Sequence, residues 1–287
     1  MRVPRKTARE AITLRVAFGT VVYPAALKYQ GEYARSINEQ IGREFDLLLV
    51  SDGLSASQRA ALSSIVTRRI VWAVPEKRLS IPELRVELLR RAYDLGYDVL
   101  VLGDFDDTFA PERVSSIADS INEEFAFYYH NLDVEGQPLF DELPVVTLSI
   151  ESIVDSNYLG FGNTAIRLGA LSQRFFDELA GAPAVFDWFF FSLLLLAGFK
   201  GCLVPGSLTS YRLHDANTVG IQRATRAEVE KEIAVKHEHY HALSKRDAVF
   251  TALMEAYSVT VPSLSWWVVG PRGGRWWSLT APHPAIG

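Results

Sequence analysis

The chain has one cysteine, Cys202, in 287 residues. That excludes an internal disulfide framework and a cysteine-based zinc site, and it suits a reducing cytoplasm. Cys202 itself reads as a small buried apolar residue. A basic surplus is missing too: the formal net charge is −5 and the pI is near 5.7, so nucleic acid is not expected as the main partner. Long apolar runs are also absent. The longest, WFFFSLLLLAGF at 188–199, is too short to span a bilayer and fits a buried helix. The basic start MRVPRKTARE lacks the apolar segment and small-residue site of a secretory signal. A soluble, cytoplasmic globular chain is expected, with enough apolar residues (48%) to bury a full core.

Four β-branched apolar runs read as buried strands: LRVAFGTVVY (14–23), FDLLLVSDG (45–53), RIVWAV (69–74) and DVLVLGD (98–104). Between them YARSINEQIG, SASQRAALSSIVTR and IPELRVELLRRAYDLG carry helical spacing, with Ser55 or Ser57 as N-cap and Gly96 as C-cap. Alternation of this kind implies an α/β fold: a mostly parallel central sheet flanked by helices, with ligands beyond the carboxyl ends of its strands. After residue 111, EEFAFYYHNLDVEGQPLF reads as a strand, a turn at Gly136 and a return. A buried helix then opens near Asp187, and CLVPGSLTSYRLHDANTVG gives a short strand and a polar loop. Residues 222–257 read as a charged amphipathic helix, followed by four tryptophans in SWW and RWW. The expected division is a main domain at 1–220 and a helical, tryptophan-rich extension at 221–287.

The string GDFDDTF places Asp104, Asp106 and Asp107 where a buried strand emerges. Carboxylates this close raise one another's proton affinity unless a cation relieves them, so a cation site is the first expectation. Two alternatives compete. Asp104, Asp106 and Thr108 fit the D-x-D-x-T opening of haloacid dehalogenase-like phosphatases, with Asp104 as nucleophile. Against it, three strands precede the motif and no later strand ends in paired acids. The bland alternative is a solvated acidic turn capping the helix at PERVSSIADSI.

Residues elsewhere favour the cation site, because four pieces together resemble family 2 glycosyltransferases. FDLLLVSDGLS resembles their DDGS strand end, LVLGDFDDTFAPERV their LDxDD metal motif, FDW their EDW base motif, and YRLHDANTVG their tyrosine-arginine-x-histidine block. The resemblance implies a GT-A, Rossmann-like fold and a metal-dependent, inverting transfer from a nucleoside-diphosphate sugar, UDP-linked by expectation, to a glycan, lipid-linked or small-molecule hydroxyl acceptor. By the same resemblance Asp187 is the catalytic base. Asp52, Arg85, Asp104, Asp106 and Arg212 bind the nucleotide sugar, with Arg91 a rival to Arg85. Asp106, Asp107 and His214 hold Mg²⁺ or Mn²⁺, hard ions suited to carboxylate and phosphate oxygens. Asn163 and Trp188 line the acceptor site. Phe186 stands where the family has the first acid of its pair, which leaves that acid's acceptor contact unfilled.

Local readings stand beside these roles: Asp52 as the first residue of an Asp-Gly turn, and Asp187 as a helix N-cap. A catalytically silent scaffold is the remaining alternative. In KHEHYH, His237 and His241 have metal-binding spacing, but an exposed polar helix is the favoured reading. The tryptophan-rich tail could touch a membrane face, cover a glycan or lipid acceptor, make a dimer contact or pack back on the domain.

Overall fold

The computed structural model describes residues 14–213, 225–258 and 272–281. In chain order the elements are β1 (Val16–Val22), α1 (Gln30–Asn38), β2 (Asp46–Ser51), α2 (Ala56–Ile65), β3 (Ile70–Ala73), α3 (Ile81–Asp94), β4 (Val99–Leu102), β5 (Thr108–Phe109) and α4 (Arg113–Ser120). They continue with β6 (Phe127–Val134), β7 (Gln137–Pro138), β8 (Val146–Thr147), β9 (Thr164–Arg167), α5 (Gln173–Asp177), α6 (Phe186–Leu196), β10 (Gly201–Ser210), α7 (Arg226–Leu243) and α8 (Ala248–Ser258).

The first half follows the expectation. β3, β2, β1 and β4 lie side by side and parallel, with a helix leading into each of β2, β3 and β4. Ser55 caps α2 and Ser80 caps α3, each in a reciprocal capping box with Gln58 and Glu83. Gly96 follows α3 at φ +70°, a conformation that favours glycine. The carboxyl ends of β1, β2 and β4 therefore open on one edge, with Asp52 and Asp104 just beyond β2 and β4.

The second half corrects the mostly parallel expectation, because the sheet is mixed. β9 runs antiparallel to both β4 and β6, and the order continues β9-β6-β10-β5. Parallel neighbours need a crossover, whereas β9 arrives from a loop at Phe161–Asn163 that turns directly into it. The expected turn at Gly136 is present: Glu135 and Gly136 both have positive φ, the pattern of a two-residue hairpin between β6 and β7. β10 is ten residues long rather than short, and register shifts around Pro205 and Gly206 interrupt its pairing with β6.

The apolar run at 188–199 contributes most of α6, which is nearly all buried. No helix among the described residues is long and apolar enough to cross a membrane. The long charged segment forms two helices, α7 and α8. His241 is exposed and His237 half-buried, as the exposed-helix reading expects, but His239 between them departs from it. Its side chain is fully buried and stacks on Trp188 with ring centroids 4.0 Å apart. His237 and His241 stack at 6.5 Å on another face of α7.

Neither ring nitrogen of His239 has a hydrogen-bond partner, and burial together with nearby Lys236 lowers its pKa to about 3. An unfolded histidine titrates near 6.5, so between about pH 6.5 and 3 the unfolded chain binds more protons and stability falls as pH falls. At pH 4.5 this term is about 2–3 kcal/mol. His239→Phe should therefore lose less melting temperature than wild type between pH 7 and 4.5. His130, also buried with its pKa lowered well below the usual value, should leave some acid sensitivity in the variant. Equal losses in both proteins would show that His239 is not buried as a neutral ring.

Candidate active site

Beyond the ends of β1, β2 and β4 lies a cavity of about 390 Å³. Its wall includes Asp52, Arg85, Asp104, Asp106 and Asp187. Five of the expected site residues, from four separate segments, thus face one space. Arg85, on α3, reaches in, whereas Arg91 on the same helix is exposed.

Arg85 Nη2 pairs with Asp104 Oδ1 at 2.7 Å, and its guanidinium lies over the Phe161 ring at 4.7 Å. Burial works against its charge, but Asp104 and Asp187 outweigh it and raise the pKa. Asp187 sits in the first turn of α6. It is not the N-cap: that residue is Val185, and no side chain caps the helix. Instead Asp187 Oδ2 accepts a hydrogen bond from Phe161 N at 3.0 Å. Burial raises the Asp187 pKa, Arg85 opposes this, and the Asp104 charge adds to it.

Asp107 is not a solvated turn residue, since it is only 2% exposed. The cap of α4 is Glu112, without a side-chain hydrogen bond, so the aspartates do not cap that helix. Asp107 Oδ1 accepts from Arg212 N at 2.8 Å, while Oδ2 is buried without a hydrogen-bond partner. Burial, with Asp104 next in weight, pushes its pKa well up. Gly162 faces this pair: a Cβ there would stand 3.3 Å from Asp104 Oδ2 and 3.5 Å from Asp107 Oδ2. Two carboxylate oxygens converging on a side-chain-free position, one lacking any partner, fit a hard divalent cation. No group of three or more potential metal-ligating side chains occurs among the described residues. His214 lies outside them.

Arg212 does not line the cavity. Its Nε donates to Asp106 O at 2.8 Å, its Nη2 pairs with Glu32 on α1, and its guanidinium covers Tyr29 at 4.6 Å. It ties the aspartate loop to α1. Asn163 and Trp188, expected at the acceptor, are both fully buried and outside the cavity wall. Asn163 Nδ2 donates to His130 O and Tyr158 O, and its Oδ1 accepts from Gly160 N, which fixes the 160–163 loop. Trp188 Nε1 donates to Ile153 O at 2.6 Å. On α6, Asp187 and Trp188 point to different faces, so Asp187 meets the cavity and Trp188 the core.

One feature was missed in the sequence, and another was left open among several roles. Arg113, at the start of α4, lies fully buried beneath the aspartates, and burial brings its pKa down to about 9 against the pull of Asp107 and Asp104. It donates to Gly162 O at 3.1 Å, to Leu102 O, and through Nε to His130 Nε2 at 3.2 Å. His130 is then the tautomer whose Nδ1 donates to Asn131 O at 2.7 Å. The available signal was position: Arg113 shares the face of α4 on which Val114, Ile117 and Ala118 are buried. The second feature is Trp276 and Trp277, which also line the cavity. No signal in the sequence ties them to the aspartates.

No protein-family model and no curated protein matches the sequence. Solved structures do match. S. aureus TarS 1–349, in complex with UDP-GlcNAc, aligns over 85% of this chain and 72% of its own, with 16% identity and a TM-score of 0.59. The mannosyltransferase PcManGT from Pyrobaculum calidifontis, in complex with GDP-Man and Mn²⁺, aligns over 86% and 74%, with 10% identity and a TM-score of 0.53. The chain has a glycosyltransferase fold of the GT-A type.

Proposed function

We propose that this chain is a family 2-like, inverting glycosyltransferase that uses a nucleoside-diphosphate sugar, UDP-linked by preference, and a divalent cation. The observation that carries the reading is the single cavity walled by Asp52, Arg85, Asp104, Asp106 and Asp187. Its structural neighbours support it, since one is bound to UDP-GlcNAc and another to GDP-Man with Mn²⁺.

Asp52, at the end of β2, takes the nucleoside end of the donor. Arg85 holds Asp104 in place and offers positive charge towards the diphosphate. Asp104 and Asp107, with Asp106 at the cavity wall and, by the sequence resemblance, His214, would hold Mg²⁺ or Mn²⁺, which supplies positive charge for the leaving diphosphate. Asp187, held by the Phe161 amide, accepts the proton of the acceptor hydroxyl. That oxygen bonds to the anomeric carbon as the carbon–phosphate-oxygen bond breaks, and the electron pair leaves on the diphosphate. A carboxylate raised by burial is a better base near neutrality than a solvated one. The acid limb of the activity profile should accordingly lie above the ordinary carboxylate range. A limb at the ordinary Asp value near 3.9 would contradict Asp187 as the base.

The phosphatase alternative is disfavoured by chain order, because three strands precede the one leading to Asp104 and no later strand among the described residues ends in paired acids. Calorimetric titration with UDP and GDP, each with Mn²⁺ and with chelator, tests the donor site. Metal-dependent binding of one of them is expected. Binding of neither, with tight binding of beryllofluoride, would favour the phosphatase. Asp107→Asn should keep the fold and weaken Mn²⁺-dependent nucleotide binding by tenfold or more, and unchanged affinity would remove Asp107 from the metal site.

A further inference from the structure

We infer that Thr209 and Arg113 are positioning residues for sugar transfer: together they hold the Gly162 carbonyl, and through it they fix Asp187 relative to the aspartate loop. This rests on the glycosyltransfer reading above and adds two residues to its machinery. Both are fully buried and lie outside the cavity wall.

The two halves of the site meet at one short loop. Phe161 donates its amide to Asp187 Oδ2 at 3.0 Å. The next residue, Gly162, faces the aspartates, where a Cβ would stand 3.3 Å from Asp104 Oδ2 and 3.5 Å from Asp107 Oδ2. A displacement of this loop therefore moves the partner of Asp187 against the carboxylates.

Two bridges oppose that displacement, and each spans both halves. Arg113 Nη2 donates to Gly162 O at 3.1 Å and also to Leu102 O, two residues before Asp104. Its guanidinium lies on the rings of Phe109 and Phe18, at 4.6 and 5.2 Å, and its Nε donates to His130 Nε2 at 3.2 Å, which fixes its plane. The end of β10 is the second bridge. Thr209 Oγ1 donates to Gly162 O at 3.0 Å, and three residues on Arg212 N donates to Asp107 Oδ1 at 2.8 Å. Thr209 is also paired with Phe109 on β5, just after the aspartates.

A carbonyl oxygen has two lone pairs, and on Gly162 both are taken by side chains from other elements. Asn163 and Thr164 bond Gly160 and shape the loop itself. The clamp on Gly162 sets where that loop stands against the aspartates. Reacting groups misplaced by about 1 Å lose about 10²-fold in rate, so loosening the clamp slows transfer without touching the nucleotide.

The test compares wild type with Thr209→Val, Thr209→Ser and Arg113→Lys, each at a temperature where it is fully folded. Valine keeps the volume and loses the hydroxyl, serine keeps the hydroxyl, and lysine keeps the charge and loses the planar fork. Hydrogen exchange of the Phe161 amide is followed by NMR. Release of UDP from UDP-GlcNAc and of GDP from GDP-mannose, to water with Mn²⁺, is measured beside nucleotide affinity. In Thr209→Val and Arg113→Lys the Phe161 amide should exchange at least fivefold faster, with amides of β1 and β2 within twofold. Their kcat should fall at least fivefold, with nucleotide Kd within twofold, and Thr209→Ser should match wild type within twofold throughout. Unchanged Phe161 exchange or unchanged kcat in Thr209→Val would overturn the inference. So would equal losses in Thr209→Val and Thr209→Ser, because packing rather than the bond would then be responsible, or faster exchange of the β1 and β2 amides, a sign of general loosening. If wild type releases nothing to water, amide exchange alone decides the positioning. Wild type that binds neither nucleotide is a separate result and defeats the glycosyltransfer reading itself.

Discussion

Asp187→Asn should reduce transfer by about 10²–10⁴-fold, the range that a positioned general base contributes, with nucleotide affinity nearly unchanged. The asparagine can still accept from Phe161 N through its side-chain oxygen, so the local geometry of α6 and the 160–163 loop should survive. What it loses is the capacity to take the acceptor proton. Asp187 also adds negative charge near Arg85, whose pKa it helps raise. Its removal leaves Asp104 as the ion-pair partner at 2.7 Å, which keeps that side of the cavity in place. A steady-state assay with parallel nucleotide titration separates the two functions. Transfer within a factor of about three of wild type would exclude Asp187 as the base, since that is far below the expected contribution.

Arg113→Met should be the most destabilising single change near the site. The guanidinium is fully buried against the rings of Phe109 and Phe18 and holds two backbone carbonyls and His130, with its charge favouring ionised Asp107. Its removal strands the buried Leu102 and Gly162 carbonyls, at about 1–3 kcal/mol for each unsatisfied group. It also takes a favourable charge away from Asp107, which burial and Asp104 already push towards protonation. The double change Arg113→Met, Asp107→Leu should therefore cost less than the sum of its parts, because neighbouring sites that share a partner are not additive. Denaturant unfolding of the two single variants and the double measures this directly. Strict additivity, or a single-variant loss below about 1 kcal/mol, would mean that Arg113 does not stabilise the aspartate loop through Asp107.

The parallel half of the sheet and the aspartate loop were legible because their signals are local. A β-branched run ending at Asp52 or Asp104, a serine before α2 and a glycine after α3 each report on their own neighbourhood. The reversal at β9 was not legible, since TAIR has the composition of any short strand and its direction is set by the 160–163 loop. Asp187 lies on the cavity wall, where its motif led us to expect it, and Trp188 does not, as neighbours on a helix face different ways. His239 was misread for a related reason: Glu238 and His241 are exposed, while its own position meets Trp188 in the core. Trp276 lies 89 residues beyond Asp187, and only tertiary contact brings the two to one cavity.

The central claim is a single-displacement sugar transfer with Asp187 as base, and the anomeric configuration of the first-formed product tests it most directly. UDP-GlcNAc and GDP-mannose carry α-linked sugars, so proton NMR of wild type with Mn²⁺ and either donor should show the β anomer first, before mutarotation, and Asp187→Asn should abolish its formation. Initial release of the α anomer, or undiminished release by Asp187→Asn, would contradict the account.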